Sequence, residues 1–225
     1  MTSTAPLAFA AVALPGSQSI DITMEVPAHT TTVVIGDEAS GVDALGSYAM
    51  GLVAPSHGQA LVYGEAIAEM ARPAALAFRR RVGYLPAGEG LLHNLSLGEN
   101  VALPLRFGSE LSDRETEARL DLMLSMFSIR HAAALRPTQA SDEERRRAAL
   151  ARALAFDPRL AILEHPFDGV TPRVAGQLLE LARGGITAEG SRRTVFIVGP
   201  DLPEVLRPRV EHRYRIAEGR LHPEE

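Results

Sequence analysis

Apolar residues along the chain follow two alternating rhythms. Strands are predicted at 32–35, 82–85, 160–163 and 194–198, and the continuous apolar run at 160–163 is typical of a sheet covered on both faces. Between them apolar positions recur at helical spacing. Leu45, Tyr48, Ala49 and Leu52 fall at i, i+3, i+4 and i+7 and predict one buried face of a helix starting near Asp43. Leu120, Met123, Leu124 and Phe127 make a second such face, and Val174, Leu178 and Leu181 a third, on a helix opened by Pro172. Residues 7–14 and 18–26 read as strands joined at the turn signal Pro15-Gly16, and 59–63 as a short strand after Pro55-Ser56-His57-Gly58. Short helices are predicted at 73–80 and 202–206, a long one at 141–156, and closing strands at 210–216 and 219–222. Strands alternating with helices predict an α/β fold around a parallel sheet.

From residue 97 to about 135 the pattern turns wholly helical, punctuated by Gly108 and Pro137. The expectation is one domain over 1–225, with a core at 1–96 and 145–225 and an inserted helical subdomain at 97–144. Composition changes this picture little. Hydrophobic content of 46% supports a sizeable core, and a net charge of −5 argues against a nucleic-acid partner. Cysteine is absent, so disulfides and thiolate metal sites are excluded. No apolar run approaches the ~20 residues of a spanning helix. The apolar start carries no basic residue before Arg72 and reads as a first strand, not a leader. All 23 basic residues are arginine, so the chain has no lysine to offer a phosphate.

That count matters at residues 31–53. A buried strand, a loop from Gly36 to Gly41 and a helix reproduce the frame G-x-x-x-x-G-K-[ST] of a phosphate-binding loop. Val42 stands at the lysine position and Asp43 at the Ser/Thr position. The loop reads Gly36, Asp37, Glu38, Ala39, Ser40, Gly41. Like charges about 4 Å apart repel by ~1 kcal/mol in water and ~4 kcal/mol at an effective dielectric of ~20. Acids at 37, 38 and 43 therefore oppose a polyphosphate, unless Asp37 and Glu38 simply point to solvent. Asp43 sits where a helix N-cap belongs, and its carboxylate is expected to cap that helix in place of an anion. Ser141, Asp142, Glu143 and Glu144 form the capping-box pattern S-x-x-E. His165 offers a base or a metal ligand but has no partner by spacing, so a structural role and no metal site are expected. Arg145-Arg146-Arg147 reads as a solvated helix face, with a membrane or partner role as the alternative.

Several landmarks in order carry a resemblance. VVIGDEASGVDALGSYAMGLVAPSHGQALVYGEAI resembles the strand, phosphate loop, helix and following strand of ATP-binding cassette (ABC) ATPases. VGYLPAGEGLLHNLSLGENVALPLR is similar to their glutamine-loop region. RPTQASDEERRRAALARALAFDPRLAILEHPFDGVTP resembles the signature helix, Walker B strand and D-loop, and TVFIVGPDLPEV the switch-histidine strand. GLLHNLSLGENVALPLR with PDLPEVL is closest to lipid-trafficking transporters of the Mla (MCE-associated) type. The resemblance implies a P-loop NTPase-like ABC ATPase domain, with a mixed sheet and an inserted helical subdomain. It also exposes departures. The adenine-stacking aromatic has no counterpart beyond Leu14-Pro15. The phosphate-loop lysine and magnesium-binding hydroxyl are Val42 and Asp43, and the glutamine is Ala87. The signature is Ala140-Ser141-Asp142-Glu143-Glu144. The Walker B aspartate is Glu164 and the general-base glutamate is His165. The D-loop aspartate is Thr171, and the switch histidine falls at Pro200.

What the resemblance then implies is a pseudo-ATPase: a non-hydrolysing, lipid-related cassette subunit of a transporter, with no catalytic residue and no cofactor. It would dock on a transmembrane permease through Leu91, Leu92, Leu95 and Leu97, unless these are core residues. It would pair with itself or with another ABC ATPase subunit at the cytoplasmic face of the membrane. Two alternatives remain open. One is an ATP/Mg²⁺-using subunit with an unorthodox or partner-completed site. The other is a soluble regulatory module with no membrane partner.

Overall fold

A computed structural model describes residues 5–15, 21–108, 111–185, 191–217 and 220–224. The expected turn at Pro15-Gly16 lies partly outside them. Two sheets organise the chain. Strands β1 (Leu7–Ala13), β2 (Asp21–Val26) and β4 (Gln59–Val62) form an antiparallel sheet in the order β2-β1-β4. The larger sheet holds β3 (Thr31–Ile35), β5 (Val82–Leu85), β6 (Leu160–Glu164), β7 (Thr194–Gly199), β8 (His212–Ala217) and β9 (Arg220–Pro223). Its order is β5-β6-β7-β3-β8-β9, parallel throughout except for β9, so the sheet is mixed. Sequence pattern alone did not separate the small antiparallel sheet from the parallel one.

Both faces of the central strands are covered, which is why they read as unbroken apolar runs. Alternate residues feed two cores. Val33, Ile35, Ala161, Leu163, Val195 and Ile197 face a layer of helices. These are α3 (Leu97–Gly108), α4 (Asp113–Met126), α5 (Asp142–Ala153) and α6 (Pro172–Arg183). Val34, Leu160, Ile162, Phe196 and Val198 face the small sheet, α1 (Ala44–Ala49) and α2 (Arg72–Arg79). Phe9 of the small sheet meets Phe196 with ring centroids 5.6 Å apart, tying the two sheets together.

Met123, Leu124 and Phe127 are buried and Leu120 is partly buried, as the spacing of α4 predicts. Leu52 departs from expectation at 52% exposure. Helix α1 ends earlier than the period suggests. Gly51 takes φ 59°, and Leu52 N–H returns to the Ser47 carbonyl at 3.0 Å, a left-handed helix stop that turns Leu52 outward. Among the described residues no helix is long and apolar enough to cross a membrane.

The inter-sheet contact yields a stability prediction. Phe9→Ala and Phe196→Ala should each lower unfolding free energy by about 3–5 kcal/mol. Because the rings touch, the double variant should lose less than the sum by roughly 0.5–1.5 kcal/mol, read from urea denaturation of all four proteins.

Candidate functional site

Parallel strands present their carboxyl ends on one edge of the sheet, where ligand crevices of open α/β sheets lie. Four loops leave that edge: residues 36–43 after β3, 86–90 after β5, 165–168 after β6 and the stretch beginning at Pro200 after β7. Two hydrogen bonds tie the starts of the loops after β3 and β6 to the end of β7, Gly36 N–H to the Gly199 carbonyl at 3.1 Å and His165 N–H to the Val198 carbonyl at 2.9 Å.

The loop after β3 is closed on itself. Residues Glu38–Ser40 form a 3-10 turn. Asp37 accepts from Ser40 N–H through its carboxylate at 2.8 Å, and its carbonyl accepts from the Ser40 hydroxyl at 2.5 Å. Ser40 Oγ in turn accepts from Val42 N–H at 3.3 Å. Ala44 and Leu45 N–H bond back to the Gly41 and Val42 carbonyls, both at 3.0 Å. Val42 is 1% exposed and belongs to the core beneath the small sheet. Gly41 adopts φ 70° against Pro15, where a Cβ would collide with the Pro15 carbonyl oxygen.

Asp43 does not cap α1. Its backbone is helical and its side chain makes no capping bond. Its carboxylate instead reaches across to the loop after β6, where Oδ1 lies 2.7 Å from Nε2 of His165. The other ring nitrogen of His165 lies 3.0 Å from Asp168 Oδ2. His165 is therefore not a lone histidine: both its ring nitrogens are engaged by carboxylates. Burial pulls its pKa down, but the hydrogen bonds and charges of Asp43 and Asp168 outweigh that and raise it. Its backbone takes φ 50°, a left-handed conformation uncommon outside glycine, which places the ring between the two acids.

Glu164, at the end of β6, is buried. Tyr84 hydroxyl donates to its Oε1 at 2.8 Å and Ala87 N–H to its Oε2 at 3.0 Å. Burial raises the Glu164 pKa, opposed by those two hydrogen bonds and reinforced by the charge of Asp43. Burial, followed by the charge of Glu164, also pushes the Tyr84 phenol well up. Gly46 on α1 makes room for this carboxylate, since a Cβ there would overlap it. The structure thus gathers Asp43, Glu164, His165, Asp168, Tyr84 and Ala87. Tyr84 and Asp168 carried no motif, and only their tertiary neighbours reveal them. Pro200 is exposed beyond β7, and Thr171 caps α6 by accepting from Val174 N–H at 3.4 Å.

The start of α5 is self-capped as its pattern predicts. Ser141 Oγ accepts from Glu144 N–H at 3.3 Å, while Glu144 Oε2 accepts from Ser141 N–H at 2.8 Å. The bond from Ser141 N–H leads in lowering the Glu144 pKa. Asp142 and Glu143 are not bare acids. They pair with Arg145 at 2.6 Å and Arg147 at 2.8 Å. Nor is the arginine triplet a solvated face, because Arg146 and Arg147 are 6% and 7% exposed. Arg147 also donates to Gln177 and to the Phe127 carbonyl, joining α5 to α6 and α4. The four leucines expected at a partner surface divide as well. Leu91 and Leu97 are buried in the core and Leu95 is half-buried, leaving Leu92 exposed.

The family model described as ABC transporter matches residues 20–168. MlaF, the intermembrane phospholipid transport system ATP-binding protein of Escherichia coli strain K12, is 34% identical over 186 residues, covering 83% of this chain and 68% of the relative. LolD, the lipoprotein-releasing system ATP-binding protein of Chromohalobacter salexigens, is 33% identical over 162 residues, covering 72% of this chain and 68% of the relative. A dimeric bacterial ABC transporter cassette superposes with a TM-score of 0.83 at 22% identity, over 96% of this chain and 98% of that one.

The bridge makes stability depend on pH. A histidine pKa raised by folding contributes fully below the unfolded value of about 6.5, and the contribution is lost as pH rises through the folded value. Wild-type stability should fall over that window by up to about 1.4 kcal/mol per pH unit. His165→Gln should flatten the fall, measured by urea denaturation from pH 6 to pH 9.

Proposed function

The chain belongs to the ABC transporter family and is similar to MlaF, and we propose that it is a cassette subunit of a lipid transporter that does not hydrolyse ATP at sites it completes itself. The carrying observation is the His165–Asp43 bridge, which places the protein's own ion pair at the mouth of the phosphate-loop frame. Three further features support it. Val42 is committed to the core where the frame has lysine. The amides of Ser40 and Val42 are already bonded within the loop. Asp43 and Glu164 bring carboxylates where a polyphosphate brings the same sign. The residues present do not fit a magnesium nucleotide held in the ordinary P-loop manner.

The retained fold serves contacts. The subunit docks on a transmembrane permease at the cytoplasmic face of the membrane and pairs with a second cassette, its own copy or a different one. The likeness to MlaF, the intermembrane phospholipid transport system ATP-binding protein, supports a phospholipid as the cargo class.

Calorimetric titration of the purified chain with Mg-ATP to millimolar concentration should give no binding heat. ATP turnover, alone and with its permease, should match a Glu164→Ala control. Saturable heat, or turnover well above that control, would overturn the reading.

A further inference from the structure

The amino edge of the parallel sheet, opposite the phosphate-loop frame, gathers cations. The chain enters β6 through Arg159, β7 through Arg192-Arg193 and β3 through His29 and Thr30. These three strands are neighbours in the order β6-β7-β3, so their lead-ins lie side by side. Helix α6 ends at the same edge with Arg183 and its Gly184 cap. Together they line a cavity of about 490 Å³. That is within the roughly 300–1,000 Å³ of small-molecule sites.

The backbone around the cavity is fixed in advance. Arg193 N–H bonds to the Arg183 carbonyl and Thr194 N–H to the Arg159 carbonyl, both at 3.0 Å. His29 is held at φ 63°, with its N–H donating to Thr194 Oγ1 at 2.9 Å and its Nδ1 2.7 Å from the Arg192 carbonyl. A carbonyl only accepts, so Nδ1 carries the proton and Nε2 stays open to another partner.

The cations outnumber the acids that could neutralise them. Arg193 is spent on structure: it pairs with Asp157 at 2.5 Å and donates to the carbonyls of Pro158, Leu181 and Ala182. Glu180 is shared by Arg183, Arg192 and Arg209 at 3.6, 3.4 and 3.9 Å, and Glu211 pairs with Arg183 at 2.6 Å. Arg159 is exposed and forms no ion pair among the described residues. Four guanidiniums, at 159, 183, 192 and 209, thus share two carboxylates, at 180 and 211, and two positive charges are left over.

We propose that this cavity is a receptor for one phosphate monoester group, gripped by Arg159 and Arg192 with His29 beside them. A monoester carries a charge of about −1.5 to −2 near neutral pH, which matches the surplus better than a single carboxylate does. Guanidinium forks fit its oxygens two at a time. Asp157 lines the same cavity, so a second phosphate on the ligand would meet a like charge. The group belongs either to a lipid headgroup that ends in a monoester or to a soluble phosphorylated metabolite. The cavity lies on the other edge of the sheet from Asp43 and His165, so the inference is independent of the reading proposed above.

Two arms test it on the full chain. Calorimetric titration with glycerol 3-phosphate reads the soluble source. Sedimentation with phosphatidylcholine vesicles, with and without phosphatidic acid, reads the lipid source. Saturable one-to-one binding in the first arm, or phosphatidic acid-dependent sedimentation in the second, is expected, and the arm that responds identifies the source. Arg159→Gln and Arg192→Gln should each weaken that binding by about tenfold or more. Arg173→Gln, about 15 Å away at the other end of α6, should leave it unchanged. Thermal melting keeps folding separate, since Arg159→Gln removes no ion pair and should melt with wild type. No binding in either arm at millimolar ligand, wild-type binding by Arg159→Gln, or an equal loss in Arg173→Gln overturns the receptor.

Discussion

The bridge from Asp43 to His165 joins loops that leave strands separated by β7. It spans 122 residues of sequence and ties two of the four loops at the carboxyl edge. Asp43 opens α1, so the bridge fixes how that helix meets the sheet. His165 follows Glu164, whose buried carboxylate is held by Tyr84 and Ala87. Gly46 completes the fit by letting α1 approach Glu164 without a side chain between them. His165 stands between two of the three carboxyl groups, at 43, 164 and 168, that share this edge. A histidine between two acids is a local cation that a lysine-free chain supplies for itself.

This arrangement explains why the loop after β3 keeps its glycines although its polar chemistry differs. Gly41 is needed for a left-handed turn that passes close to Pro15. Val42 then drops into the core, and Ser40 collects the hydrogen bonds of the turn. The frame is a packing solution before it is a ligand site. Its glycines answer backbone demands that persist whether or not a phosphate is bound.

Legibility in the sequence followed the range of the interactions. Strands β3, β6 and β7 were readable because burial on both faces leaves an apolar run, and the α5 cap because its partners lie three residues apart. Asp43 misled because capping rules are local, whereas its partner lies far along the chain and the carboxylate prefers an imidazolium to its own helix. Arg146 and Arg147 misled for the same reason, since their neighbours Glu89, Phe127 and Gln177 come from other elements. Leu91 and Leu97 share their spacing with Leu92, but only the fold decides which of the three faces inward.

The paired acids at the start of α5 change what that helix presents to a second cassette. Read from sequence, Asp142 and Glu143 are two negative charges that repel a phosphate. In the structure each is bonded to an arginine one turn on, so the charge at the surface is largely spent within the helix. What is missing there is not neutrality but access. The amide of Glu144 is bonded to Ser141, and side chains stand at 142 and 143 where glycines would leave the backbone bare. A self-capped helix end has already satisfied donors that an anion would otherwise receive. The same principle governs the loop after β3, where Ser40 and Asp37 hold the amides. Both loops satisfy backbone donors internally, and they use different side chains to reach one physical result.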